Sequence, residues 1–200
     1  MVSLRRSEYQ VACGQAAHSV LSILGDLRFA TVSITSSSTP VALSWRALAD
    51  DAYDETDSIS FRAVLGCQIR AFMAGPLAER IFHSGCEANL PWDKTTLFPP
   101  SDLDWIMYRV GAFAHCQGAA ESRMDRFCEL VEQTWRELSE PFCWNLVRRI
   151  AAGLTVYTTL TYEEVVGIYD AYHATSGGPA DAAWNLATYC PRNSLTTVSR

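Results

Sequence analysis

The stretch VACGQAAHSV, residues 11–20, has the apolar spacing of a helix and carries His18 on one of its faces. A helix that holds catalytic zinc presents two histidines four residues apart, so that both imidazoles lie on one face, and a glutamate directly after the first histidine acts as general base. In this sequence Gly14 precedes His18 by four residues, and Gln15 stands at the glutamate position. Because a neutral amide cannot accept a proton from water, the segment predicts a helix without the base and with one histidine only.

The elements that position these residues are mostly helical. Apolar periodicity and capping residues predict six helices, over 7–24, 58–83, 101–116, 120–138, 140–153 and 161–173. Pro76 is expected to kink or divide the second helix, because proline has no backbone N–H to donate. Ser101 is expected to cap the third helix and Thr161 the last one.

Two short strands are predicted between the first and second helices. Residues 28–35 alternate and are rich in β-branched side chains, and TPVALSW, residues 39–45, follows a turn of small polar residues. The predicted fold class is therefore α+β, predominantly helical, with a small sheet of short strands. One domain is predicted over residues 1–173, followed by a C-terminal tail, residues 174–200, of low helical consistency.

Charge and composition exclude several classes of partner. The net charge is −6, with 16 basic and 22 acidic residues and no long basic run, which argues against nucleic acid and anionic membranes. No stretch reaches the roughly 18–20 consecutive apolar residues that span a bilayer, and the N-terminus lacks the apolar region of a secretory signal. The seven scattered cysteines are typical of reduced thiols, so a cytoplasmic location is expected.

From residue 8 to about residue 170, the chain resembles the peptidase domain of FtsH-type AAA+ zinc metalloproteases. VACGQAAHSV aligns with the family's V-A-x-H-E-A-G-H-A-V helix, and AGPLAERIFHSG with a helix ending in G-G-R-A-A-E-x-x-x-F-G. ATVSI and VALSW correspond to the family's strands, SDLDW to an N-D-L/I helix start, and TYEEVVGIYD to a T-x-E-E-V helix start. The order and spacing of these pieces imply a zincin-like fold with a small sheet.

The resemblance also implies which residues stand at the family's metal site. Gly14 replaces the first histidine ligand and Gln15 the glutamate base, whereas His18 and Asp102 match the second histidine and the third ligand. Catalytic zinc sites use three protein ligands. We therefore expect no catalytic residue and no cofactor, and only a remnant metal site made of His18 and Asp102.

Two alternatives stay open at this site. His83 or Cys86, in the loop that by resemblance runs near the site, could join His18 and Asp102 and rebuild a zinc site. Asp102 also has a role without metal, because a carboxylate in the first turn favours the helix dipole by about 0.3–1 kcal/mol.

The sequence thus predicts a catalytically inactive metalloprotease-like protein that acts as a protein-binding or regulatory module. A zinc-dependent peptidase with a rearranged ligand set and a structural or assembly subunit are the alternatives. The expected partner is another protein, and a homo-oligomer stays open. Two groups of residues are expected to bind this partner. The predicted edge strand with Val41, Leu43 and Trp45 could pair with an extended peptide. The other group is two tryptophans in irregular segments, Trp92 and Trp184.

Overall fold

A computed structural model of the protein describes residues 8–34, 58–86, 88–115 and 122–176. Two strands, β1 (Thr31–Ser33) and β2 (Thr159–Thr161), pair in one antiparallel sheet. The helices are α1 (Glu8–Leu24), α2 (Ser58–Ser84), α3 (Pro100–His115), α4 (Arg123–Ser139), α5 (Pro141–Tyr157) and α6 (Tyr162–Ser176), and a 3₁₀ turn spans Lys94–Leu97.

The predicted fold class, α+β and predominantly helical with a small sheet, is confirmed at this level. The predicted strand at 39–45 and the tail from residue 177 onward lie outside the described residues. Within the described part of the protein, every helix is too short or too polar to cross a lipid bilayer.

Helices α1 and α2 form the central antiparallel pair. Residues late in α1 contact residues early in α2: His18 meets Ala71, whereas Gln10 meets Glu79 at the other end. Two glycines at the contact let the helices approach closely: Gly14 of α1 lies beside Glu79, and Gly75 of α2 lies beside His18. Both helices also carry small side chains that are buried in the core: Ala12, Cys13, Ala16 and Ala17 of α1 and Ala71, Ala74 and Ala78 of α2. Helices α3 and α4 pack on α2, α5 packs on α1, and α6 packs on α5 around one shared core.

Pro76 does not divide α2, which runs without interruption from Ser58 to Ser84. Proline leaves the carbonyl of Phe72 without its usual helical donor, so an isolated helix would break here. Tertiary packing overrides this preference, because Leu77 and Ala78 directly after the proline are fully buried in the core. The predicted division of the helix is therefore wrong.

The sheet brings together two segments that are far apart in the sequence. Val32 of β1 faces Leu160 of β2, and both are buried. Thr158 ends α5 in the left-handed conformation, with φ of 60°, and its carbonyl accepts a hydrogen bond of 2.9 Å from the N–H of Ile34. The sequence prediction missed β2 because three residues between two helices are too few to show strand periodicity.

The two predicted helix caps have different outcomes. Thr161 caps α6 as predicted: its hydroxyl accepts from the N–H of Glu164, whose carboxylate accepts from the N–H of Thr161 in return. Ser101 does not cap α3, because the helix already begins at Pro100 and the carbonyl of Pro99 accepts its first hydrogen bonds. Proline fits the first helical position, where no N–H is required.

We expect Gly75→Ala to destabilise the protein by about 1–3 kcal/mol, because overpacking a well-filled helix contact forces its neighbours apart. A Cβ at Gly75 would lie 2.1 Å from Nε2 of His18. The matched control is Gly167→Ala in α6, where a Cβ meets nothing within 4 Å, so it should stabilise the helix by about 0.5–1 kcal/mol. Urea denaturation measures both; equal midpoints for the two variants would contradict the packing described here.

Candidate functional site

His18 lies at the contact between α1 and α2, where two features of α2 fix its ring. Its Nδ1–H donates a hydrogen bond of 2.7 Å to the carbonyl oxygen of Ala71. Its Nε2 lies against Gly75, where a Cβ added to the glycine would be 2.1 Å from this nitrogen. Only glycine leaves room for the imidazole in this orientation, so His18 serves as part of the helix contact.

Burial is the main reason why the pKa of His18 is lowered from its usual value, because desolvation disfavours the charged imidazolium. The hydrogen bond to Ala71 and the negative charge of Asp102 act in the opposite direction and are outweighed. At neutral pH the His18 ring is therefore neutral, with its proton on Nδ1.

Gly14, four residues before His18, faces the side chain of Glu79. A Cβ at Gly14 would lie 3.1 Å from Oε1 and 3.3 Å from Cγ of Glu79, and 3.4 Å from the carbonyl oxygen of Gly75. The other carboxylate oxygen, Oε2, accepts a hydrogen bond of 3.2 Å from Nε2 of Gln10. Glu79 thus fills the space beside Gly14, and a larger side chain there would have to displace it.

Gln15, the residue after Gly14, has a buried amide oxygen. Within the described part of the protein, no donor lies within hydrogen-bonding distance of this Oε1. A buried acceptor without a partner is unfavourable by roughly 1–3 kcal/mol. Its neutral amide has no lone pair basic enough to take a proton from water, so it cannot act as a general base.

Cys13, next to Gly14, is a fully buried free thiol. Burial raises its pKa to about 11, and the charge of Glu79 adds to this, although Arg148 acts in the opposite direction. The thiol is therefore protonated at neutral pH, and the thiolate that acts as a nucleophile is disfavoured.

Asp102 lies in the first turn of α3, and its negative charge acts on the pKa of His18. His83 is exposed at the end of α2, with its ring 5.6 Å from that of Phe82, and Cys86 is half-buried just beyond it. Among the residues that the structure describes, no three His, Cys, Asp or Glu side chains are arranged to hold a metal ion. The described residues therefore supply no third ligand to His18 and Asp102.

A row of half-buried side chains across α2 and α3 was missed by the sequence prediction. The Phe72 ring lies 6.2 Å from His18 and stacks on Trp105 with 4.3 Å between centroids. The Arg109 guanidinium lies 4.9 Å from the Trp105 ring on the same helix, and its NH1 donates to Oε1 of Gln68 at 3.3 Å. We call Gln68, Phe72, Trp105 and Arg109 the α2–α3 row. The four-residue spacings within each pair were the signal that could have indicated it.

Of the five residues expected to bind a protein partner, only Trp92 lies within the described part of the protein. Its side chain is 99% exposed. The next residue, Asp93, caps the 3₁₀ turn through the N–H of Thr95, and Lys94 pairs with Glu132 of α4 at 3.1 Å. Trp92 is thus displayed beside an anchored turn. The other four lie outside the described residues: Val41, Leu43, Trp45 and Trp184.

Comparison with protein-family models and with curated proteins finds no match for this sequence. The functional interpretation therefore depends on the residues and geometry of the site itself.

We expect stability to fall as the pH is lowered through and below about 6.5, the ordinary pKa of histidine. The unfolded protein takes up a proton on His18 there, whereas the folded protein resists it until the pH passes below its lowered pKa. His18→Asn should reduce this pH dependence, and His83→Asn, at an exposed histidine, should retain it. Urea midpoints measured between pH 8 and pH 5 test this; an unchanged slope in His18→Asn would contradict it.

Proposed function

We propose that this protein is a protein-binding or regulatory module, built on a zincin-like fold of the FtsH peptidase type, that does not hydrolyse peptides. The observation that supports this most directly is the carboxylate of Glu79 beside Gly14, 3.1 Å from where a Cβ would lie. The position at which a zinc-binding helix carries its first histidine is thus closed by a neighbouring side chain.

The chemistry of peptide hydrolysis supports the same proposal. It needs an activated water, a base that takes its proton and a group that stabilises the developing negative charge. Gln15 supplies no base, and the Nε2 edge of His18 faces Gly75. A site with one ligand committed to helix packing is poorly suited to hold a zinc ion against cellular competition.

A fold of this kind without activity can still bind other proteins, and Trp92 is the proposed contact residue. Tryptophan is enriched among residues that dominate interface energetics, because it buries a large rigid surface. A 99% exposed Trp92 beside an anchored turn fits a contact residue better than a core residue. The second proposed contact is the segment with Val41, Leu43 and Trp45, which the sequence predicts to be an edge strand and which could add to an extended peptide.

A cytoplasmic location forms part of this proposal. In the described part of the protein, five cysteines are free thiols. Cys13, Cys67 and Cys143 are buried, and Cys86 and Cys128 are half-buried. Free buried thiols are typical of proteins kept in a reducing compartment.

The test combines metal content with peptidase activity. Purified untagged protein should contain far less than one zinc per molecule by mass spectrometry, and it should not cleave casein with or without added zinc. The zinc-dependent alternative requires one zinc per molecule, lost in His18→Ala, together with casein cleavage that EDTA abolishes. That result would overturn the proposal.

The binding half of the proposal is tested by affinity capture from cells that produce the protein. Trp92→Ala should lose the captured partner, whereas Tyr108→Ala, at another exposed aromatic residue, should retain it. Capture that survives Trp92→Ala and depends instead on residues 174–200 would assign the protein to the structural or assembly alternative.

A further inference from the structure

The guanidinium of Arg109 is held in a fixed position on α3. One side of it lies over the Trp105 ring at 4.9 Å, and its NH1 donates to Oε1 of Gln68 of α2 at 3.3 Å. Trp105 is itself stacked on Phe72. Two helices therefore orient this half-buried cation, so little conformational entropy remains to be lost when a ligand binds.

Arg109 has no counter-ion in the described ranges, 8–34, 58–86, 88–115 and 122–176. The ion pairs found there belong to other cations, namely Arg70 with Glu137, Lys94 with Glu132 and Arg126 with Glu129. Gln68, the hydrogen-bond partner of Arg109, is neutral. A half-buried charge is normally paired, because removing it from water is unfavourable.

The donors of Arg109 match a planar anion. A guanidinium has five N–H donors in a rigid fork, and the hydrogen bond to Gln68 uses one of them. Two parallel N–H donors bind the two oxygens of a carboxylate in one plane. The fork is thus suited to a carboxylate that approaches in the guanidinium plane, at an edge that the hydrogen bond to Gln68 leaves open.

The surroundings favour an anion with a single charge. Asp102 lies seven residues before Arg109 on α3, which places it on the same helix face about 10 Å away. Its negative charge, and the protein's net charge of −6, disfavour phosphate dianions and polyanions more than a carboxylate.

We infer that Arg109, oriented by Trp105 and Gln68, is a binding site for a carboxylate of a polypeptide partner, either that of an acidic side chain or the terminal α-carboxylate. This inference rests on the proposed protein-binding function, because a partner protein must carry the carboxylate across the α2–α3 row. The partner must therefore present a carboxylate at Arg109.

The test measures the binding of three capped amino acids to the full-length protein. Two-dimensional NMR of the tryptophan indole N–H groups detects the binding. N-acetylglutamate α-amide carries only a side-chain carboxylate, N-acetylglutamine only a terminal carboxylate, and N-acetylglutamine amide carries neither. We expect at least one carboxylate probe to shift the Trp105 indole signal saturably, with a Kd on the order of millimolar. The neutral probe should leave it unchanged. The identity of the responding carboxylate then distinguishes the two sources.

Variants assign the effect to the guanidinium. Arg109→Gln should weaken binding by roughly tenfold or more, because a charge-assisted pair is lost. Arg109→Lys keeps the charge and the fold but not the fork, and should also weaken it. The matched control is Arg149→Gln, which removes another arginine held over an aromatic ring, 4.7 Å from Tyr172, and should bind as the wild type does.

Three results would overturn the inference: equal shifts with the neutral probe, unchanged binding in Arg109→Gln, or inorganic phosphate binding tenfold more tightly than either carboxylate. A failure here is distinguishable from a failure of the proposed function. If the probes do not bind while zinc and casein cleavage stay absent, the carboxylate site is wrong and the inactive module stands. If zinc-dependent cleavage is found, the proposed function fails whatever the probes do.

Discussion

The contact of His18 with the Ala71–Gly75 turn of α2 sets how α1 and α2 meet, and the rest of the fold is arranged around that pair. A hydrogen bond of 2.7 Å fixes one side of the ring, and the absence of a side chain at Gly75 makes room for the other. Helices α3 and α4 then pack on α2, and α5 on α1. The imidazole therefore has a structural task that competes with any role as a metal ligand.

The neighbouring pair of Gly14 and Glu79 belongs to the same helix contact. A histidine at position 14 would point at Glu79, whose carboxylate is already engaged by Gln10. The group beside Gly14 is a carboxylate that accepts a hydrogen bond from an amide and needs no metal. Such a site stabilises the pairing of two helices, whereas a catalytic zinc site requires unpaired ligands aimed at one point.

The sequence predicted the helices well, because they depend on local periodicity and capping. Thr161 with Glu164 forms the capping box that its spacing indicates. Two predictions of helix boundaries were wrong. Helix α2 is not divided at Pro76, because the following residues are packed in the core, and α3 begins at Pro100, where proline fits the first helical position. Strand β2 was missed because it exists only through its pairing with β1, more than a hundred residues earlier in the sequence.

Of the candidate site, the sequence indicated the helix and its single histidine, His18. The remnant metal site of His18 and Asp102 stays a prediction from the resemblance. The role of Gly75 and the filling of the space beside Gly14 could not be predicted, because they depend on which side chains face each other across two helices. The α2–α3 row shows the same limit, since Phe72 and Trp105 are far apart in sequence and meet only through helix packing.

The most direct test of this account is ¹⁵N NMR of the His18 imidazole at neutral pH, with and without one equivalent of zinc. The account predicts a neutral ring with its proton on Nδ1, donated to Ala71, and nitrogen signals that zinc does not shift. A zinc-induced shift of the Nε2 signal of His18 would contradict it, because the ring would then be a metal ligand and not a fixed part of the helix contact.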